Sequence, residues 1–176
     1  MKDNNLDFDV KSYVASLSDE ELCAEVLCWQ LRKDMTNEEI VDFFKKNKAS
    51  SFFASGSFSP EHIAFIKEAM KKSSKSPCLV AADVERGPII HKELSGYSAS
   101  MMNLTAAGDE TLAFEAGKYT ARLSRAIGIH LTLSPVIDIN FNPLNPVTNT
   151  RAAGDTKDSV SSRDPSNRLQ TSFQRN

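Results

Sequence analysis

The sequence predicts an α/β fold with a parallel sheet, and three observations carry that prediction. Cys78-Leu79-Val80-Ala81-Ala82 is a short apolar run opened by Pro77 and closed by Asp83-Val84-Glu85-Arg86-Gly87, the pattern of a strand buried on both faces. Leu131-Thr-Leu-Ser-Pro-Val-Ile-Asp138 repeats it, an apolar run ending in an aspartate with a long Asn/Pro loop behind. Segments of helical period precede and separate the two runs, so strand and helix alternate as in successive βα units. About three units can be counted, whereas a closed eight-unit barrel takes about 250 residues. The sheet is therefore either open and small or part of an incomplete barrel.

Each element has its own signal. Ser18-Asp-Glu-Glu21 is a capping box, with Leu17 able to staple against Leu22 and an apolar stripe at Leu22, Val26 and Trp29, which predicts a helix over residues 19–32. Thr36-Asn-Glu-Glu39 repeats the signature and opens a short helix burying Ile40, Phe43 and Phe44. Residues 50–56 read as a strand and turn. Ser59 and Pro60 supply an N-cap and an N1 proline for a helix with Ile63, Ile66 and Met70 inward and Lys67, Lys71 and Lys72 outward. After the strand at 78–82, Asp109 caps a longer helix whose apolar positions Leu112, Ala116, Tyr119, Leu123 and Ile127 keep helical spacing until Gly128 ends it. A strand over 130–138 comes next. Residues 157–176 hold only Val160, Leu169 and Phe173 as large apolar groups, which predicts a frayed tail. The division is thus a body over 1–160 and a polar, disordered tail over 161–176.

Charge narrows the partners. With 21 Lys and Arg against 23 Asp and Glu, the net charge is -2, and no basic cluster has the density of a nucleic-acid or membrane surface. A neutral or weakly charged ligand fits better. The first residues lack an apolar core of signal-peptide length and no stretch approaches a transmembrane span, so the expected location is cytoplasmic. Cys23, Cys28 and Cys78 are an odd set, and on a helix Cys23 and Cys28 would lie about 140° apart. Neither a disulfide framework nor a metal site is indicated, and buried thiols are expected.

Barrel enzymes place polar groups at the C-terminal ends of their strands. Asp83 and Asp138 occupy such ends, and the loop after Asp138 carries Arg151. The alternative is that Asp83 and Glu85 are solvated loop carboxylates paired with Arg86 or Lys92.

Taken together the segments resemble the family-3 glycoside hydrolases, especially their β-N-acetylhexosaminidase branch. The resemblance is carried, in the family's order, by Leu-Ser-Asp-Glu-Glu in the first helix, Asp83-Val-Glu-Arg-Gly87, Gly108-Asp-Glu-Thr-Leu-Ala-Phe-Glu-Ala-Gly117, Ala126-Ile-Gly-Ile, Ser134-Pro-Val-Ile-Asp138 and Asn145-Pro-Val-Thr-Asn-Thr-Arg151-Ala-Ala-Gly-Asp155. It covers roughly residues 12–160 and implies an incomplete TIM-like (β/α)8 barrel, about its first three units. It also implies that Asp83 and Arg151 contact a sugar, that His91 stands where the branch has another sugar-binding arginine, and that no metal or organic cofactor is needed. A carboxylate accepts hydrogen bonds from adjacent hydroxyls, and arginine's rigid fork donates several without changing protonation.

The departures set the functional expectation. The family reads Asp-x-Glu-Gly-Gly-Arg where this chain has Asp83-Val84-Glu85-Arg86-Gly87-Pro88, so a bulky residue replaces the first glycine and a proline the arginine. Histidine at 91 is shorter than arginine and mostly neutral at pH 7. A retaining glycosidase needs a carboxylate nucleophile and an acid/base group. By resemblance these lie on a later strand and on a loop following Lys-His-Phe-Pro-Gly-His-Gly, neither of which occurs here, so no catalytic residue is assigned. The expectation is a partial domain of a hydrolase of terminal β-linked N-acetylglucosamine, or glucose, in carbohydrate metabolism. The rival is a non-catalytic sugar- or partner-binding fragment, or an inactive product of premature termination. Three units leave strand edges open, at about 50–55 and 130–138, and self-association is expected through them.

Overall fold

The computed structural model describes residues 9–32, 34–55, 58–85 and 99–161. Helices α1 (Val10–Ala15) and α2 (Asp19–Glu25) precede strand β1 (Trp29–Gln30). Then come α3 (Asn37–Asn47), β2 (Ser51–Phe53), α4 (Pro60–Lys71) and β3 (Leu79–Ala82). Helices α5 (Met101–Ala107) and α6 (Glu110–Ala126) lead to β4 (Leu131–Thr132), a 3-10 turn (Asn149–Arg151) and α7 (Lys157–Ser161). The four strands among the described residues are parallel and lie in sequence order. Each crossover is helical and joins neighbours, giving three βα units and a fourth strand, an arc of half the strands an eight-stranded barrel needs.

Local chemistry starts the helices where the sequence predicts. Ser18 and Thr36 both complete capping boxes, their hydroxyls accepting from Glu21 N and Glu39 N while those glutamates accept from Ser18 N and Thr36 N. Ser59 caps α4 by accepting from His62 N at 3.2 Å. Gly128 closes the chain behind α6 at φ 91°, and a Cβ there would lie 3.2 Å from Lys67 Nζ, so both backbone conformation and space favour glycine.

Register and alternation divide the sheet into two faces. Trp29 stands opposite Phe52 and Phe52 opposite Val80, and this row packs outward. Phe52, Val80 and Ala82 form one core with Ile40 and Phe44 of α3, Ile63, Ile66 and Met70 of α4, and Ile129. Each large side chain so buried contributes about 1.5–3 kcal/mol. The other row holds Phe53, Leu79, Ala81 and Leu131, since Phe53 pairs with Ala81 and Ala81 with Leu131. Here Leu79 and Leu131 remain 40% and 42% exposed. That is the face a barrel turns inward.

Several expectations are corrected. The helix over 19–32 stops at Glu25, and Trp29 belongs to β1; the spacing of Leu22, Val26 and Trp29 mimics a helix stripe, but Val26 is 82% exposed. Trp29 is held by the sheet and by an edge-on ring contact with Phe43. Consequently the edge strands are β1 and β4, and residues 50–55 lie inside the sheet. Helix α6 does not bury Leu112 and Tyr119, which are exposed. It turns inward Ala113, Gly117, Thr120, Ala121 and Ser124, small residues that let a neighbour approach closely. The strand over 130–138 ends after Thr132, because Pro135 has no N–H to continue a ladder. Cys23 and Cys28 are exposed rather than buried, and Cys78 is half-buried. Residues 157–161 form α7 instead of fraying, and Val160 packs against Met101, Leu104, Ala113 and Ala153. Helices α1 and α5 carried no predicted element.

Candidate functional site

The site is built where β3 and β4 release the chain. Asp83 follows the last residue of β3 and is exposed, whereas Val84 is buried and anchors the turn. Val84 N donates to Ser134 Oγ at 3.2 Å, which ties the end of β3 to the segment leaving β4.

Beyond β4 the Asn/Pro segment makes its own scaffold. Asn142 Oδ1 accepts from Leu144 N at 3.0 Å and Asn145 Oδ1 from Val147 N at 2.9 Å, the side-chain turns for which asparagine is suited. The loop closes where Asn140 N donates to Gly154 O at 2.7 Å and Ala153 N to Asp138 O at 3.2 Å. Ala152 and Ala153 are fully buried beneath it. A Cβ on Gly154 would meet the Ser159 side chain and crowd Val160, so α7 packs closely against a position that has no side chain. The 3-10 turn then presents Arg151.

Arg151 meets Glu85 side-on: Nε donates to Oε2 and Nη2 to Oε1, each at 2.7 Å. Nη1 donates to Val147 O at 3.1 Å. The Glu85 carboxylate, through these bonds and its charge, raises the Arg151 pKa, and Asp83 and Asp138 add attraction. The guanidinium therefore stays a cation under any physiological condition. A fixed cation and three carboxylates gather where the chain has left β3 and β4, Asp138 lying six residues past the end of β4 rather than at a strand end, and this set offers hydrogen bonds in both directions to a hydroxylated ligand.

Of the residues singled out from sequence, the structure brings Asp83 and Arg151 into one neighbourhood with Asp138. His91 lies outside the described residues, as do Arg86, Gly87 and Pro88. The sequence reading leaves Glu85 off the list of sugar-contact residues and offers Arg86 or Lys92 as partners in its alternative; in the structure its partner is Arg151. The signal available was the two-residue spacing from Asp83, which puts both carboxylates on one side of an extended backbone. A cleft of about 630 Å³ lies elsewhere, lined by Met102, Thr105, Phe141 and Asp155 among others, and not by Asp83 or Arg151. Among the described residues no group of His, Cys, Asp and Glu could hold a metal ion, and no helix is long and apolar enough to cross a membrane.

The sequence profile of the glycosyl hydrolase family 3 N terminal domain matches residues 23–163, well over half of the chain. The chain belongs to this family. The family-3 chain is 33% identical over 85 residues to a beta-N-acetylglucosaminidase/beta-glucosidase of Cellulomonas fimi, a stretch covering 48% of this chain and 15% of that relative. Beta-glucoside phosphorylase BglX bound to 2FGlc superposes with a TM-score of 0.77 at 26% identity, over 94% of this chain and 29% of that one. A glycoside hydrolase family 3 beta-N-acetylglucosaminidase from Paenibacillus sp. str. FPU-7 gives a TM-score of 0.76 at 23% identity, over 91% and 31%. NagZ from Neisseria gonorrhoeae gives 0.64 at 19%, over 85% and 46%. The family-3 chain thus spans less than half the length of each of these proteins, and the α/β, TIM-like class expected from its sequence stands.

Proposed function

We propose that this family-3 chain supplies part of a sugar-binding wall, with Asp83 and Arg151 contacting the hydroxyls of a terminal β-linked N-acetylglucosamine or, second, glucose. The observation that carries the reading is the placement of Asp83 at the end of β3 with the Arg151–Glu85 pair beside it. The activities for which the Cellulomonas fimi and Paenibacillus relatives are named support the choice of sugar. The activity of a complete family-3 glycosidase would proceed by double displacement through a glycosyl-enzyme, using a nucleophile and an acid/base group from segments outside this sequence. Within the 176 residues the chemistry is binding and orientation.

Titration calorimetry with N-acetylglucosamine tests the reading. Binding no tighter than about millimolar is expected, because much of a closed pocket is missing, and Asp83→Ala and Arg151→Ala should each abolish the heat. Equal heats in all three proteins would remove both residues from the site. The same chain should release no nitrophenol from the β-N-acetylglucosaminide above a buffer blank; turnover abolished by Asp83→Asn would overturn the non-catalytic assignment.

A further inference from the structure

We infer that Glu85 is a positioning residue: it fixes the guanidinium of Arg151 so that the two N–H groups left over, one on each terminal nitrogen, face the ligand as a pair of donors in the neighbourhood of Asp83. The inference rests on the sugar-site reading and adds which donors are available and what ligand chemistry they select.

Donor bookkeeping leads to it. Arginine has five N–H groups in a rigid plane. Glu85 takes the Nε–H and one on Nη2, and the Val147 carbonyl takes one on Nη1. One N–H therefore remains on each terminal nitrogen, and among the described residues neither meets an acceptor. The Glu85 side chain is 18% exposed against 41% for Arg151, so the carboxylate is the anchored partner and the guanidinium the presented one. Glu85 is itself fixed, because the preceding Val84 is buried and its N–H is bound to Ser134. A bidentate, charge-assisted pair sets the plane of the arginine as a single hydrogen bond would not.

Two adjacent donors match two neighbouring hydroxyl oxygens on one ring. A carboxylate at Asp83 accepts only, while a hydroxyl both donates and accepts, so a sugar hydroxyl can bridge from Arg151 to Asp83. The three carboxylates Asp83, Glu85 and Asp138 around one cation disfavour an anionic ligand. The chemical class selected is a neutral vicinal diol.

The test uses the whole 176-residue chain, labelled with ¹⁵N, in wild-type, Glu85→Gln, Glu85→Asp and Arg151→Lys forms, with N-acetylglucosamine as the probe. The Arg151 Nε–H resonance, assigned by its loss in Arg151→Lys, should be protected from exchange at neutral pH in wild type and lost in Glu85→Gln. Sugar affinity should fall roughly tenfold in Glu85→Gln, the scale of a lost charged hydrogen bond, and Glu85→Asp, which keeps the charge, should bind better than Glu85→Gln. A purely structural role would rank the isosteric glutamine above the shorter aspartate. Backbone amide spectra check that each variant is folded. An unprotected wild-type resonance overturns the inference, and so does a Glu85→Gln protein that binds as tightly as wild type. Protection in wild type, its loss in Glu85→Gln and no sugar-induced shift would sink the sugar reading while leaving Glu85's hold on Arg151 in place.

Discussion

His130 shows how a single side chain joins the sheet to its helices. Its Nδ1 accepts the Val80 N–H at 3.1 Å, and Nδ1 has that lone pair only while the ring is neutral with its proton on Nε2. With Nδ1 accepting, Nε2 carries the proton and stands 3.4 Å from Lys67 Nζ, a contact that opposes a second positive charge. Burial first, then Lys67 and Arg125, accordingly holds the His130 pKa below the ordinary histidine value. The sign follows: a ring harder to protonate folded than unfolded leaves stability intact above about pH 6.5 and removes some as pH falls through that value, until the folded ring itself titrates. An NMR titration should give His130 a midpoint below 6.5, with the Val80 amide shifting at the same midpoint. A midpoint at or above 6.5 contradicts the contact. Legibility at this scale was uneven. The place of Asp83 behind a strand could be read from the sequence, because strand-end polarity is a local pattern, whereas the sugar contacts expected of Asp83 and Arg151 rest on the family resemblance. The partnership of Glu85 could not, since it joins two segments whose proximity depends on β3 and β4 lying side by side.

Elements were legible where their signals are local. Capping boxes at Ser18 and Thr36, the Ser59-Pro60 start and the inward Ile63, Ile66 and Met70 of α4 all stand as read, because each is decided within a turn or two of helix. Helix α3 illustrates the energetics: Thr36 starts it and Ile40 and Phe44 bury it. Thr36→Ala should cost about 1 kcal/mol of stability, whereas Phe44→Ala should cost about 3–5 kcal/mol, both read by amide hydrogen exchange along α3. Equal protection in Thr36→Ala and wild type would show the box to be ornamental. Elements were misread where tertiary contacts decide. Two-residue β1 is too short for a periodicity of its own, and its Trp29 completed a false helix stripe with Leu22 and Val26. In α6 the large residues looked like the buried face, but a close neighbour selects Ala113, Gly117 and Ala121 instead; size, rather than polarity, was the deciding property.

At the scale of the molecule, the sheet order was legible from strand–helix alternation, while its edges were not, because β1 was hidden inside an expected helix. Both edge strands are two residues long, and the inward row leaves Leu79, Leu131 and also Leu133 substantially exposed. Unpaired edges beside an apolar face favour association. The isolated 176-residue chain is therefore expected to bind ANS and to run as an oligomer in gel filtration, and Leu79→Lys with Leu131→Lys should reduce both. A monodisperse wild-type monomer without dye binding would count against an arc open at both edges. The loop contacts around Arg151 also show what holds the site together. Glu85 and Arg151 are 66 residues apart, and bringing such distant positions together costs about 4 kcal/mol of chain entropy before any bond forms. Their own pair does not supply that; the pairing of β3 with β4 and the packing of α5 and α6 do. A peptide carrying Asp83 and Glu85 has the right letters and no site, because the site is a product of the tertiary fold rather than a property of either segment.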